Sequence, residues 1–142
     1  MLKLLVPVDG SDNSQRAVEH VIAMCAHLKA LPEVHLLTVQ LPLAGVHVKL
    51  FIKKEDLNDY YREEGLVALK RARERLDGAG VGYVHHIGVG DPGEVIAQYA
   101  ESKDCDQLIM GRRGLSPMAD LLLGSVTHKV IGLVRVPVAL IR

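Results

Sequence analysis

Three glycines, three hydroxyl residues and two arginines crowd one short stretch, residues 110–131, MGRRGLSPMADLLLGSVTHKVI. Gly111, Gly114 and Gly124 would let a backbone come close to a ligand or take positive φ. Exposed N–H groups in such a loop make an anion-binding concavity. A helix beginning near Gly124-Ser125 would aim its positive end and its unpaired N–H groups at the same place. Ser125 and Thr127 add hydroxyl donors, and Arg112 and Arg113 add charge at the mouth. The chemistry would be a grip on phosphate. The same residues also spell a glycine-rich turn followed by a capped helix, with solvated arginines, and the physics leaves the two readings level.

Other chemistries find less support. The P-loop pattern is absent. Gly88-Val89-Gly90-Asp91-Pro92-Gly93 fits G-x-G-x-x-G, but on the third strand and not the first, with Pro92 where the motif needs backbone N–H groups. It reads as a turn and helix cap before it reads as a dinucleotide site or a minor part of another site. The histidines (His20, His27, His35, His47, His85, His86, His128) show no metal-ligand spacing, and His85 and His86, adjacent on a strand, face opposite sides. No G-x-S-x-G elbow is present. Asp9 has the chemistry of a general base without a visible partner, so no catalytic residue and no metal-ligating side chain is assigned. Cys25 and Cys105 read as buried thiols in a reducing compartment.

The elements that must position these residues alternate. Apolar runs at 2–8, 34–39, 81–87, 106–110 and 136–141 read as strands. Helical spacing of apolar residues marks 12–30, about 55–76, about 92–102, and a last helix from 121 or 125 to 134. Residues 41–54 are mixed. Ser11 or Asp12 can cap the first helix, and Asp91-Pro92 opens the third. Hydrophobic residues make up 49% of the 142 and aromatics only 4%, so Val, Leu, Ile and Ala must build the core, as suits strands buried on both faces. This order predicts an α/β fold, a single doubly wound five-stranded parallel sheet with helices on both faces, in one domain spanning 1–142. Ligands bind such sheets outside the carboxyl ends of the strands, where the order reverses. The loops after strands 1 and 4 are therefore the suspects.

With this frame the glycine spacing becomes more specific. Gly111-xx-Gly114, nine residues, then Gly124-Ser125 resembles the G-2x-G-9x-G-(S/T) signature of the ATP-binding universal stress proteins. LLVPVDGS at 4–11, VHLLTV at 34–39, GDPGEVI at 90–96, DQLIMGRRG at 106–114, LLGSVTHKVI and PVALIR extend the resemblance along the whole chain, though Thr38 stands where many members carry His. The resemblance implies strand order 3-2-1-4-5 and ATP across the switch point between strands 1 and 4. It implies that Pro7, Val8 and Asp9 line the adenosine, with Asp9 near the ribose, and that Val39 meets the adenine through its backbone. Met110 and Gly111 would lie beside the sugar and phosphates, Arg113 at the mouth, and Gly114, Gly124, Ser125, Val126 and Thr127 around the phosphates. Mg2+ or Mn2+ bridging the phosphates belongs to the same picture, as does a homodimer joined through strand 136–141.

Composition bounds the function. Seventeen Lys+Arg balance seventeen Asp+Glu, so there is no basic footprint for nucleic acid. No apolar run approaches the roughly 18 residues of a membrane span, and MLKLLVPVDGS reads as a strand and not a signal peptide, so a cytoplasmic location is expected. The leading expectation is an ATP-binding regulatory or stress-response protein with slow hydrolysis at most. The alternatives are a nucleotide-free dimeric adaptor and an ATPase or nucleotidyl transferase using the same pocket.

Overall fold

The computed structural model describes residues 1–43, 50–113 and 123–142. Among the described residues five strands, β1 (Lys3–Pro7), β2 (Glu33–Gln40), β3 (Tyr83–Val89), β4 (Gln107–Gly111) and β5 (Val138–Ile141), alternate with four helices, α1 (Asp12–Cys25), α2 (Lys54–Gly78), α3 (Pro92–Ser102) and α4 (Ser125–Leu133). All neighbouring strands are parallel, in the order β3-β2-β1-β4-β5. The expected architecture and strand order are thus both observed.

Period-2 alternation divides each strand between two layers. Leu4 and Val6 of β1 join Ala17, Val18 and Val21 of α1 and Leu69, Ala72 and Leu76 of α2 on one face. Leu5 faces the other way, with Leu37, Ile96, Ala100, Leu108, Met110 and Val130 under α3 and α4. Both sheet faces are covered, which is why β1 reads as a continuous apolar run. Cys25 and Cys105 are buried free thiols, and burial pushes both above the ordinary thiol range. Among the described residues no helix is long and apolar enough to cross a membrane.

Local chemistry sets the boundaries, and several differ from the periodicity. The apolar face of the first helix extends in sequence to Leu28, yet α1 stops at Cys25. There the Ala26, His27 and Leu28 N–H groups fold back onto Ile22, Met24 and Cys25 carbonyls, and Leu28 is exposed. The third strand begins at Tyr83 and not at Val81. Val81 N–H instead donates to Leu76 O (3.0 Å) and Gly80 N–H to Asp77 O (3.1 Å), with Gly80 at φ +70°. That is a Schellman cap, and its hydrophobic contact takes Val81, buried beside Leu76, out of the sheet. The last strand is also shorter than expected, Val138–Ile141, with Pro137 lacking the N–H a longer ladder needs.

Candidate functional site

The strand order reverses between β1 and β4, and the chain leaves both strands at the same edge of the sheet. After β1, Gly10 at φ +82° turns the chain into α1. Ser11 caps that helix by accepting from Ser14 N–H at 3.2 Å. Asp9 Oδ1 accepts from Ser11 N–H at 2.9 Å, and Val8 N–H continues the ladder to Leu37 O at 2.8 Å.

After β4 the packing is tighter. A Cβ on Gly111 would lie 2.6 Å from Asn13 O and 2.7 Å from Asn13 C, so only glycine lets β4 pass under the first turn of α1. Arg112 N–H donates to Ile141 O, and Arg112 O accepts from Gly124 N–H at 2.8 Å, which brings the start of α4 back beside the end of β4. Buried Thr127 donates its hydroxyl to Gly111 O at 3.2 Å and fixes the first turn of α4 there. Gly124 is the N-cap residue and has no side chain to cap with, so among the described residues no side chain caps the first-turn N–H groups.

Between these elements lies a cavity of about 170 Å³. Pro7, Val8, Asp9, Val39, Met110, Gly111, Arg113, Gly124, Ser125, Val126 and Thr127 all border it. Gly114 lies outside the described residues. Its lining combines apolar residues, Leu37, Val39, Met110, Ile96, Pro92 and Val126, with polar ones, Asp9, Ser14, Ser125, Thr127 and Arg113.

Four of these lining residues escaped the sequence reading: Ser14, Leu37, Pro92 and Ile96. Leu37 and Ile96 carry only the signal of core residues. Pro92 belongs to the G-x-G-x-x-G segment, which is a packing turn: a Cβ on Gly88 or Gly90 would strike Val95, and one on Gly93 would strike Lys129. That turn nevertheless delivers Pro92 to the cavity wall. Beside it Lys129 Nζ meets Asp91 Oδ2 at 2.8 Å and Glu94 Oε1 at 3.5 Å, tying α4 to the start of α3. The Lys129 ammonium and the Glu94 N–H hold the Asp91 carboxyl below the usual carboxylate range, and Asp91 in turn raises Lys129. Among the described residues no group of three or more His, Cys, Asp or Glu could hold a metal ion.

The universal stress protein family matches residues 1–142, the whole sequence. The chain belongs to this family. A solved structure of the Methanocaldococcus jannaschii protein MJ0577 superposes with a TM-score of 0.84 at 31% identity, covering 99% of this chain and 94% of that one. A universal stress protein in complex with cAMP is 25% identical, with a TM-score of 0.72, over 99% of this chain and 97% of its own. An Arabidopsis thaliana family protein with AMP bound is also 25% identical, with a TM-score of 0.69, over 99% of this chain and 91% of its own.

Proposed function

We propose that this universal stress protein binds ATP in the cavity between β1 and β4 and works as a nucleotide-dependent regulatory protein, with slow hydrolysis at most. The observation that carries the reading is the mixed lining of the cavity. Apolar residues suited to a base (Leu37, Val39, Pro92, Ile96) line the same cavity as the start of α4 (Gly124 to Thr127), whose N-cap residue is a glycine. The adenine nucleotides of two structural neighbours, cAMP and AMP, support the same ligand class. In this reading the base packs on those apolar residues, Asp9 meets the ribose, and the phosphates take the N–H groups of the first turn of α4, that of Thr127 included, with the Ser125 hydroxyl, Gly114 and Arg113; the Thr127 hydroxyl, expected as a further donor, is instead committed to Gly111 O. A divalent cation would arrive with the phosphates, since Asp9 is the one carboxylate among the described lining residues. Asp9, engaged with the sugar, gives attacking water little help, hence the slow hydrolysis.

The regulatory output would be a dimer or partner contact biased by the nucleotide. β5 is a sheet edge of Val138, Ala139, Leu140 and Ile141, all partly exposed, and such an edge favours pairing with a second copy.

Acid release and chromatography of the small molecules carried by the purified protein, followed by titration calorimetry with MgATP, tests the binding. ATP should co-purify or bind with measurable heat. Gly124→Val should abolish binding while the fold survives, because φ −69° and ψ 161° suit any residue but the new side chain shields the α4 N–H groups. A folded wild-type chain giving no heat and carrying no nucleotide refutes the proposal.

A further inference from the structure

We infer that Ser14 is a positioning residue that aims Asp9, and that through Asp9 it sets the preference of the cavity for a ribose over a deoxyribose. The inference rests on the nucleotide reading above and names its sugar specificity.

Ser14 borders the cavity and is buried, 6% exposed. Its hydroxyl is engaged both as donor and as acceptor. It donates to Ser11 O at 3.0 Å and accepts from Asp9 N–H at 3.3 Å, while its own N–H donates to Ser11 Oγ at 3.2 Å. Ser11 N–H closes the ring on Asp9 Oδ1 at 2.9 Å. Four hydrogen bonds thus tie three residues around Gly10, which takes φ +82° and whose missing Cβ leaves the backbone free to move there. The consequence falls on the carboxylate. Oδ1 is occupied by Ser11, whereas Oδ2 has no hydrogen bond among the described residues, and Asp9 borders the cavity. A carboxylate pinned through one oxygen presents the other as an oriented acceptor. The ligand group that fits is a hydroxyl donor, and a ribose supplies one where a deoxyribose does not.

Capping alone does not account for Ser14. The cap proper is Ser11 Oγ, which accepts from the Ser14 backbone and needs no hydroxyl at 14. The Ser14 hydroxyl reaches backward instead, to the backbone of Asp9 and Ser11. Removing it leaves the cap and the Ser11 N–H bond to Asp9 Oδ1 in place but releases the Asp9 backbone N–H, so the carboxylate is held at its far end on a backbone that is no longer anchored.

Calorimetry with ATP, 2′-deoxy-ATP and 3′-deoxy-ATP separates the possibilities. The wild-type chain should prefer ATP to at least one deoxy analogue by roughly 10-fold, the size of one charge-assisted hydrogen bond. Ser14→Ala should shrink that ratio to about 2-fold. Ser14→Cys, which keeps the volume with a weaker donor and acceptor, should fall between and serves where alanine unfolds the loop. Ser11→Ala should lose stability through the cap yet keep the ratio. Equal weakening of ATP and deoxy-ATP in both Ser14 variants would overturn the inference, as would an unchanged ratio. A wild-type chain that binds all three nucleotides alike overturns the sugar reading but leaves nucleotide binding standing; one that binds none overturns both.

Discussion

Replacing Gly111 by alanine should destabilise the protein through a single contact. The new methyl carbon would lie 2.6 Å from Asn13 O, 2.7 Å from Asn13 C and 3.1 Å from Asn13 Cβ. Carbon contacts are comfortable at about 3.5–4.0 Å, so β4 and α1 must part by roughly 0.8 Å or more. Two of the three atoms are backbone in the first turn of α1, which Ser11 and Ser14 hold at its start, and no side chain can swing aside. Overpacking of this kind costs about 1–3 kcal/mol. For a chain of this size each kcal/mol lowers Tm by about 3–4 °C, so a fall of roughly 3–12 °C is expected. Gly132→Ala is the matching control. It lies in α4 with nothing within 4 Å of its Cβ, so alanine there should be neutral or stabilising by up to about 1 kcal/mol. Calorimetric or chemical unfolding of the two variants beside the wild type is the assay. A Gly111→Ala protein as stable as the wild type would mean that β4 does not approach α1 as described, and the placement of the neighbouring cavity wall would fall with it.

Other substitutions test other parts of the chain. Thr38 is 1% exposed and its hydroxyl has no partner among the described residues, so Thr38→Val should stabilise by about 1 kcal/mol; a lower urea midpoint would show that the hydroxyl is satisfied after all. His86 Nε2 lies 2.8 Å from His35 Nδ1, whose other ring nitrogen meets Glu33 Oε1 at 2.7 Å. Burial, with the charges of His35, Lys103 and His85, holds the His86 imidazole below its ordinary range. The unfolded chain then takes up a proton that the folded chain refuses. The His86 contribution is whole above the unfolded value of about 6.5 and is lost as pH falls through the lower folded value. The urea midpoint should therefore drop between pH 7 and 5, and His86→Gln should flatten that drop; an unchanged slope in the variant counts against the assignment. Sedimentation should find a concentration-dependent dimer that Ala139→Pro, a break in the β5 edge, disperses; a wild-type monomer at all concentrations refutes pairing through β5.

The sequence by itself carried the layer architecture, because it is written in local patterns. Short apolar runs separated by amphipathic stretches leave a parallel sheet between helices as the arrangement that buries them. The glycine spacing from 111 to 124 and the turn after β1 marked two connections whose described ends border the cavity. Boundaries were less legible. Val81 is as apolar as any strand residue, and only the Gly80 cap, with the packing of Val81 on Leu76, assigns it to the end of α2. The tertiary structure alone decided the rest of the cavity. Leu37 and Ile96 look like any buried aliphatic, and Pro92 like any first-turn proline, until the crossovers bring β2 and α3 to the same edge as α4. Ser14 looks like one more polar residue of an amphipathic helix until its hydroxyl is seen to reach back to Asp9 and Ser11. The physical reason is one of range. Periodicity and capping act over a few residues and are printed in the chain, whereas a cavity wall is made by residues far apart in sequence that share nothing until the sheet assembles them.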